Sequence, residues 1–184
     1  TLLFSSVLLT SCQGKKIKNT VFSVDDLAGK TIGVQLGTTG DTLVSDYETD
    51  GSGTTVSRYN KGSDAIQALK QGKADAVVID EQPALAFVKA NPDLTILEEE
   101  FANEDYAICV AKGNSLTAKL NEAIEVLMAD GTIQKLIDDY VGDNATFSGY
   151  KSPDGISRTN GTLVMATNAY FKPYEYLSLI HISE

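Results

Sequence analysis

The sequence holds one histidine, His181, two cysteines, Cys12 and Cys109, and two arginines, Arg58 and Arg158. Each scarcity excludes a chemistry. Two cysteines so far apart build no disulfide framework. No CxxC, HExxH or GxSxG pattern occurs. Cationic residues are few, 15 Lys and Arg against 25 Asp and Glu, and the net charge of −10 disfavours nucleic acid and anionic membrane surfaces as partners. The apolar run that opens the chain, TLLFSSVLLTSC, is too short to span a bilayer.

That run, residues 1–12, fits the hydrophobic part of a partial signal peptide. Its Leu9-Thr10-Ser11-Cys12 ending resembles a bacterial lipobox, which implies lipidation at Cys12. Residues 13–21, polar and basic at first, follow as a tether. The other reading is a buried strand or helix with an incidental cysteine. At the opposite end LSLIHISE, residues 177–184, back-translates to a common transposon-derived sequencing adapter. It is set aside from the fold, the alternative being a genuine short strand. His181 lies in it, so residues 1–176 offer no histidine as a base or metal ligand.

Between the ends, strand and helix signals alternate. Ser23 precedes acidic residues as a helix cap would. TIGVQL (31–36), TVSRY (55–59), DAVVID (75–80), residues 94–97 and YAICVA (106–111) read as strands. DAVVID, apolar throughout its middle, has the pattern of a strand buried on both faces. Cys109 reads as a small buried hydrophobe. Helices are expected after Asp41, after a cap at Ser63, from about Gln82 to Ala90, and in two apolar-striped segments after Ser115 and Gly131. This alternation predicts an α/β fold with a largely parallel sheet. Residues 144–160, rich in Ser, Gly, Asn and Asp, read as a linker. A turn, a buried strand and an aromatic-proline loop follow in NGTLVMATNAYFKPYEY.

Three features carry chemistry. In LGTTGD a strand runs through small residues into a helix start. Backbone N–H groups and threonine hydroxyls there suit a carboxylate or phosphate, and a merely well-capped helix is the other reading. The P-loop ending and the dinucleotide fingerprint are both missing. Asp80 ends DAVVID at the strand edge where α/β sheets bind ligands, or else caps the next helix. An anion site and a carboxylate on one edge match an amino-acid zwitterion. Asn168, Tyr170, Phe171, Pro173 and Tyr174 could wall a small-ligand pocket or form an ordinary hydrophobic loop. Glu98–Glu100 reads as a solvated acidic face.

VDDLAGKTIGVQLGTTGD, KGSDAIQALKQGKADAVVIDEQPA, DYAICVAKGN and LNEAIEVLMADGTIQKLIDDYVGD together resemble, in that order, the second half of a bacterial extracytoplasmic solute-binding protein of a polar amino-acid ABC importer. The resemblance covers residues 22–143. NGTLVMATNAYFKPYEY resembles the start of the same family's mature domain, out of order. The resemblance implies a periplasmic-binding-protein type II lobe, lobe two with a returning hinge strand and C-terminal helices, in residues 22–143. It implies an incomplete second lobe in residues 161–176, which would be the first strand of lobe one. The order of parts implies a circularly permuted, truncated chain, the alternative being a tandem array. By the same resemblance Gly37, Thr38 and Thr39 receive a ligand carboxylate. Asp80 takes its ammonium, and Phe171 stacks over it. Asn168 stands where several binders of cationic amino acids have an acid. The family's carboxylate-clamping arginine has no counterpart, which implies weak or no binding of free amino acids.

The function implied is capture of an amino acid outside the cell membrane for the membrane subunits of an ABC importer, from a lipid anchor at Cys12. No cofactor, metal or nucleic-acid partner is implied. Two other classes stay open: an enzyme on the same fold, such as a dehydratase, and the extracellular sensor domain of a signalling receptor. The lack of histidine and of a perturbed acid pair argues against the enzyme.

Overall fold

A computed structural model describes residues 18–142, 144–151, 153–157, 159 and 161–177. Cys12, Arg158, Asn160 and His181 lie outside the described residues. Three strands, β1 (Thr31–Gln35), β2 (Thr55–Tyr59) and β3 (Ala76–Val78), form a parallel sheet in the order β2-β1-β3. Ile32 of β1 stands beside Val56 on one side and Ala76 on the other. Five helices are described: α1 (Thr39–Val44), α2 (Gly62–Lys70), α3 (Glu81–Ala90), α4 (Leu116–Ala129) and α5 (Thr132–Tyr140). A short antiparallel hairpin pairs β4 (Tyr170–Phe171) with β5 (Glu175–Tyr176).

The central strand explains the core. Ile32 and Val34 are fully buried and cluster with Val21, Leu27, Val44 and Val56, against which Leu97 and Phe101 pack. On the alternate positions of β1, Gly33 admits α2: a Cβ there would stand 3.6 Å from the Cβ of Ala65 and 3.3 Å from Val77 Cγ2. Gln35, also buried, accepts the Gly62 N–H at 3.0 Å and ties the end of β1 to the start of α2. A strand covered on both faces by crossover segments is what a parallel sheet requires. Every buried residue among those described lies between Val21 and Pro83.

The structure corrects several sequence expectations. DAVVID contributes only Ala76–Val78, half-buried rather than enclosed, because β3 is an edge of this sheet. Residues 94–97 and 106–111 join no ladder. Tyr106 and Ile108 are exposed, and so is Cys109, which is not a buried hydrophobe. Residues 162–168 form no strand, and Leu163, Val164 and Met165 are exposed rather than buried. An apolar run becomes a strand only where another strand accepts its hydrogen bonds, and neither 106–111 nor 162–168 is paired with one among the described residues. The first helix is short, breaking at Ser45 into a 3-10 turn, and α2 starts at Gly62 rather than after Ser63. Glu99 is not merely solvated, since its carboxylate accepts the Val24 N–H at 3.0 Å. The helices α4 and α5 bury no residue, and a cavity of about 220 Å³ separates α4 from residues 106–110. No described helix is long and apolar enough to cross a membrane.

Candidate ligand-binding site

Parallel strands end on one edge, so the turn after β1 and the residues after β3 come together there. The turn is held from inside. Asp41, buried in the first turn of α1, accepts the Gly37 N–H at 2.9 Å through one carboxylate oxygen. Its other oxygen takes the Arg58 Nε–H at 2.7 Å. Arg58 also donates to Ser45 Oγ and to Glu48, both at 2.8 Å. The Gly37 N–H lowers the Asp41 carboxyl, burial works against it, and the Arg58 guanidinium lowers it further, for a net shift below the ordinary carboxylate value.

Thr38 is the N-cap of α1. Its hydroxyl donates to the Gln35 carbonyl at 2.9 Å and accepts the Asp41 N–H at 3.3 Å. The Gly37 N–H and the Thr38 hydroxyl are thus engaged within the loop. The N–H groups of Thr39 and Gly40, in the first turn, have no acceptor within the helix, and the exposed Thr39 side chain extends the same donor set. Gly40 lies close to β3: a Cβ there would meet Val78 O at 3.3 Å.

Asp80 occupies the N-cap position of α3, yet its side chain makes no capping bond. Its carboxylate accepts the Tyr106 hydroxyl instead. Glu104 stands against both Thr39 and Asp80. The Thr39 hydroxyl holds the Glu104 carboxyl down, but hydrogen bonding to Asp80, burial and the Asp80 charge outweigh it and push it up. Burial of its hydroxyl end, then the bond to Asp80, pushes the Tyr106 phenol up beyond its ordinary range, although the residue as a whole is exposed. An acid pair is therefore present, contrary to the sequence reading.

The hairpin closes this edge. The Tyr174 ring lies 4.9 Å from Tyr106 and 6.2 Å from Phe171, centroid to centroid. Lys61, just before α2, sets its Nζ 4.0 Å over the Tyr170 ring. Asn168 shapes the hairpin: its N–H donates to Glu175 at 2.9 Å and its Oδ1 accepts the Tyr170 N–H at 3.1 Å. Thr39, Asp80 and the Phe171–Tyr174 pair thus meet on one edge through Glu104 and Tyr106. Sequence reasoning missed those two. Glu104 sits in an aperiodic stretch, and only the fold brings it to Asp80. Among the described residues no group of three His, Cys, Asp or Glu is placed to hold a metal ion.

No family model matches the chain. The L-cystine-binding protein TcyJ of Escherichia coli strain K12 is 33% identical over 135 residues, which are 70% of this chain and 48% of TcyJ. The putative amino-acid ABC transporter-binding protein PatH of Vibrio harveyi is 33% identical over 136 residues, 72% of this chain and 54% of PatH. Among solved structures, an ancestral arginine-binding protein bound to arginine matches with a TM-score of 0.61 at 42% identity, over 68% of this chain and 56% of that one. The chain's homologues are amino-acid-binding proteins of ABC transporters. The chain spans about half the length of the curated relatives it matches. The parallel sheet with flanking helices is that family's α/β architecture, and these relatives are named as binding proteins rather than enzymes.

Proposed function

We propose that this chain carries one ligand-gripping lobe of an extracytoplasmic receptor that captures an amino acid for the membrane subunits of an ABC importer. One observation carries the reading: N–H donors at Thr39 and Gly40 share a sheet edge with the Asp80 carboxylate. A carboxylate at the first and an ammonium at the second is the charge layout of an α-amino acid. Gly37 and Thr38 set the shape of the turn. Phe171 supplies an aromatic wall, and Asn168 holds the loop that presents it. Residues 22–143 form the lobe with its returning segment and C-terminal helices. Residues 144–160 link it to the 161–176 piece of the other lobe, an order that supports a permuted chain. Cys12, outside the described residues, is the lipidation site that anchors the receptor to the cell membrane.

Equilibrium dialysis against labelled arginine, glutamine, histidine and cystine tests the reading. Binding of at least one that is lost in both Thr39→Val and Asp80→Asn supports it. Binding that survives both substitutions places the ligand elsewhere. The Asp80–Glu104 acid pair favours a second reading, an enzyme that moves a proton at this edge. Product formed from a bound amino acid, abolished by Glu104→Gln, is the result that would establish it.

A further inference from the structure

The edge that would receive the amino acid already has something in it. Glu104 brings a carboxyl to Thr39, and Tyr106, two residues on, brings a hydroxyl donor to Asp80. The Tyr106 ring continues into the aromatic pair, 4.9 Å from Tyr174 with Phe171 beyond it. We propose that residues 104–106 are an internal stand-in for the ligand, which an incoming amino acid must displace. The inference rests on the proposed ligand site.

The match is chemical as well as positional. An α-amino acid offers a carboxylate, a cationic donor and a side chain, and the segment offers a carboxyl, a neutral donor and an aromatic ring in the same three places. The difference between them accounts for the exchange. In a zwitterion the ammonium lies between the ligand carboxylate and Asp80 and offsets both charges. The segment has no such cation, so Glu104 confronts Asp80 directly, acid against acid. The stand-in is therefore held by a weaker set of interactions than the ligand that replaces it. Nothing in residues 101–111 is fixed by a helix or a ladder, and Tyr106 is exposed, so the segment can leave without breaking secondary structure. Self-occupancy lowers apparent affinity by the fraction of molecules whose cleft is open.

The test compares the full chain with Tyr106→Phe, Glu104→Ala and the double variant, by calorimetric titration with arginine, glutamine, histidine and cystine. The double variant is expected to bind its preferred amino acid roughly tenfold more tightly than the parent, each single variant falling between. A ligand-independent readout accompanies it. Tyrosine absorbance titrated against pH is expected to show two late-ionising phenols in the parent, Tyr106 and Tyr174, with the Tyr106 phenol moving earlier in Asp80→Asn. Amino-acid binding that is unchanged or weakened in the double variant, yet still lost in Thr39→Val, overturns the stand-in and leaves the ligand site intact. No binding by any variant overturns both. An unaltered tyrosine titration in Asp80→Asn overturns the Tyr106–Asp80 contact on which the stand-in depends.

Discussion

At the turn after β1 a single carboxylate, Asp41, receives the Gly37 N–H and the Arg58 guanidinium together. Its depressed carboxyl makes a signed prediction. Asp41 favours the folded state as an anion, so that contribution is fully present above its ordinary value of 3.8 and is lost as pH falls through the lower folded value. Urea unfolding at pH 7 is expected to show Asp41→Asn less stable than the parent by about 2 kcal/mol, the scale of charge-assisted hydrogen bonds. The gap should narrow below pH 3.8; a gap that stays constant down to about pH 2 would remove Asp41 from the account. Gly37 has φ of +78° with open space around its Cβ position, so its cost on substitution is purely conformational. Gly37→Ala should lose about 1 kcal/mol in the same assay, and Gly37→Asn less, since asparagine tolerates the left-handed region.

The elements divide into those that bury residues and those that do not. Ile32 in β1 is fully enclosed, whereas Ile124 in α4 is only half-buried. Truncation to alanine should cost about 3 kcal/mol at Ile32 and under about 1 kcal/mol at Ile124. Hydrogen exchange should follow, with β1 amides slower than those of α4 and α5 by roughly a hundredfold or more. Equal protection would mean that α4 and α5 are packed in solution against a surface not seen among the described residues. The same division marks what was legible beforehand. TIGVQL and TVSRY were readable because β-branched residues between turn signals suffice to identify a strand whose partners lie nearby in the sequence. The helices α2, α3, α4 and α5 were readable from their apolar spacing and their breaks at Gly72 and Gly131. YAICVA and TLVMA carry an equally strong strand pattern, but pattern reports only burial potential. Whether a partner strand exists is a property of the whole fold, and these segments lie exposed.

At the scale of the molecule, the site was half legible. The position of Thr39 and Asp80 follows from a rule about parallel strands, which end together whatever their side chains. That the Gly37 N–H and the Thr38 hydroxyl are engaged inside the loop was hidden, because it depends on where Asp41 and Arg58 point. Glu104 and Tyr106 were hidden for a different reason: they reach the site from a segment with no periodic structure. The chain spans about half of its curated relatives, and among the described residues the buried core is confined to the three-stranded sheet and what covers it. With residues 104–106 already seated in it, this edge is expected to bind an amino acid with roughly millimolar affinity.

The most direct test of an amino-acid-gripping edge is a map of amide chemical shifts during titration with arginine, glutamine, histidine or cystine. At least one is expected to shift a contiguous set at Thr39, Gly40, Asp80, Glu104 and Tyr106, saturating at roughly millimolar concentration, with β2 and α5 unmoved. Shifts scattered over α4 and α5, or none at any of these residues, would contradict the account.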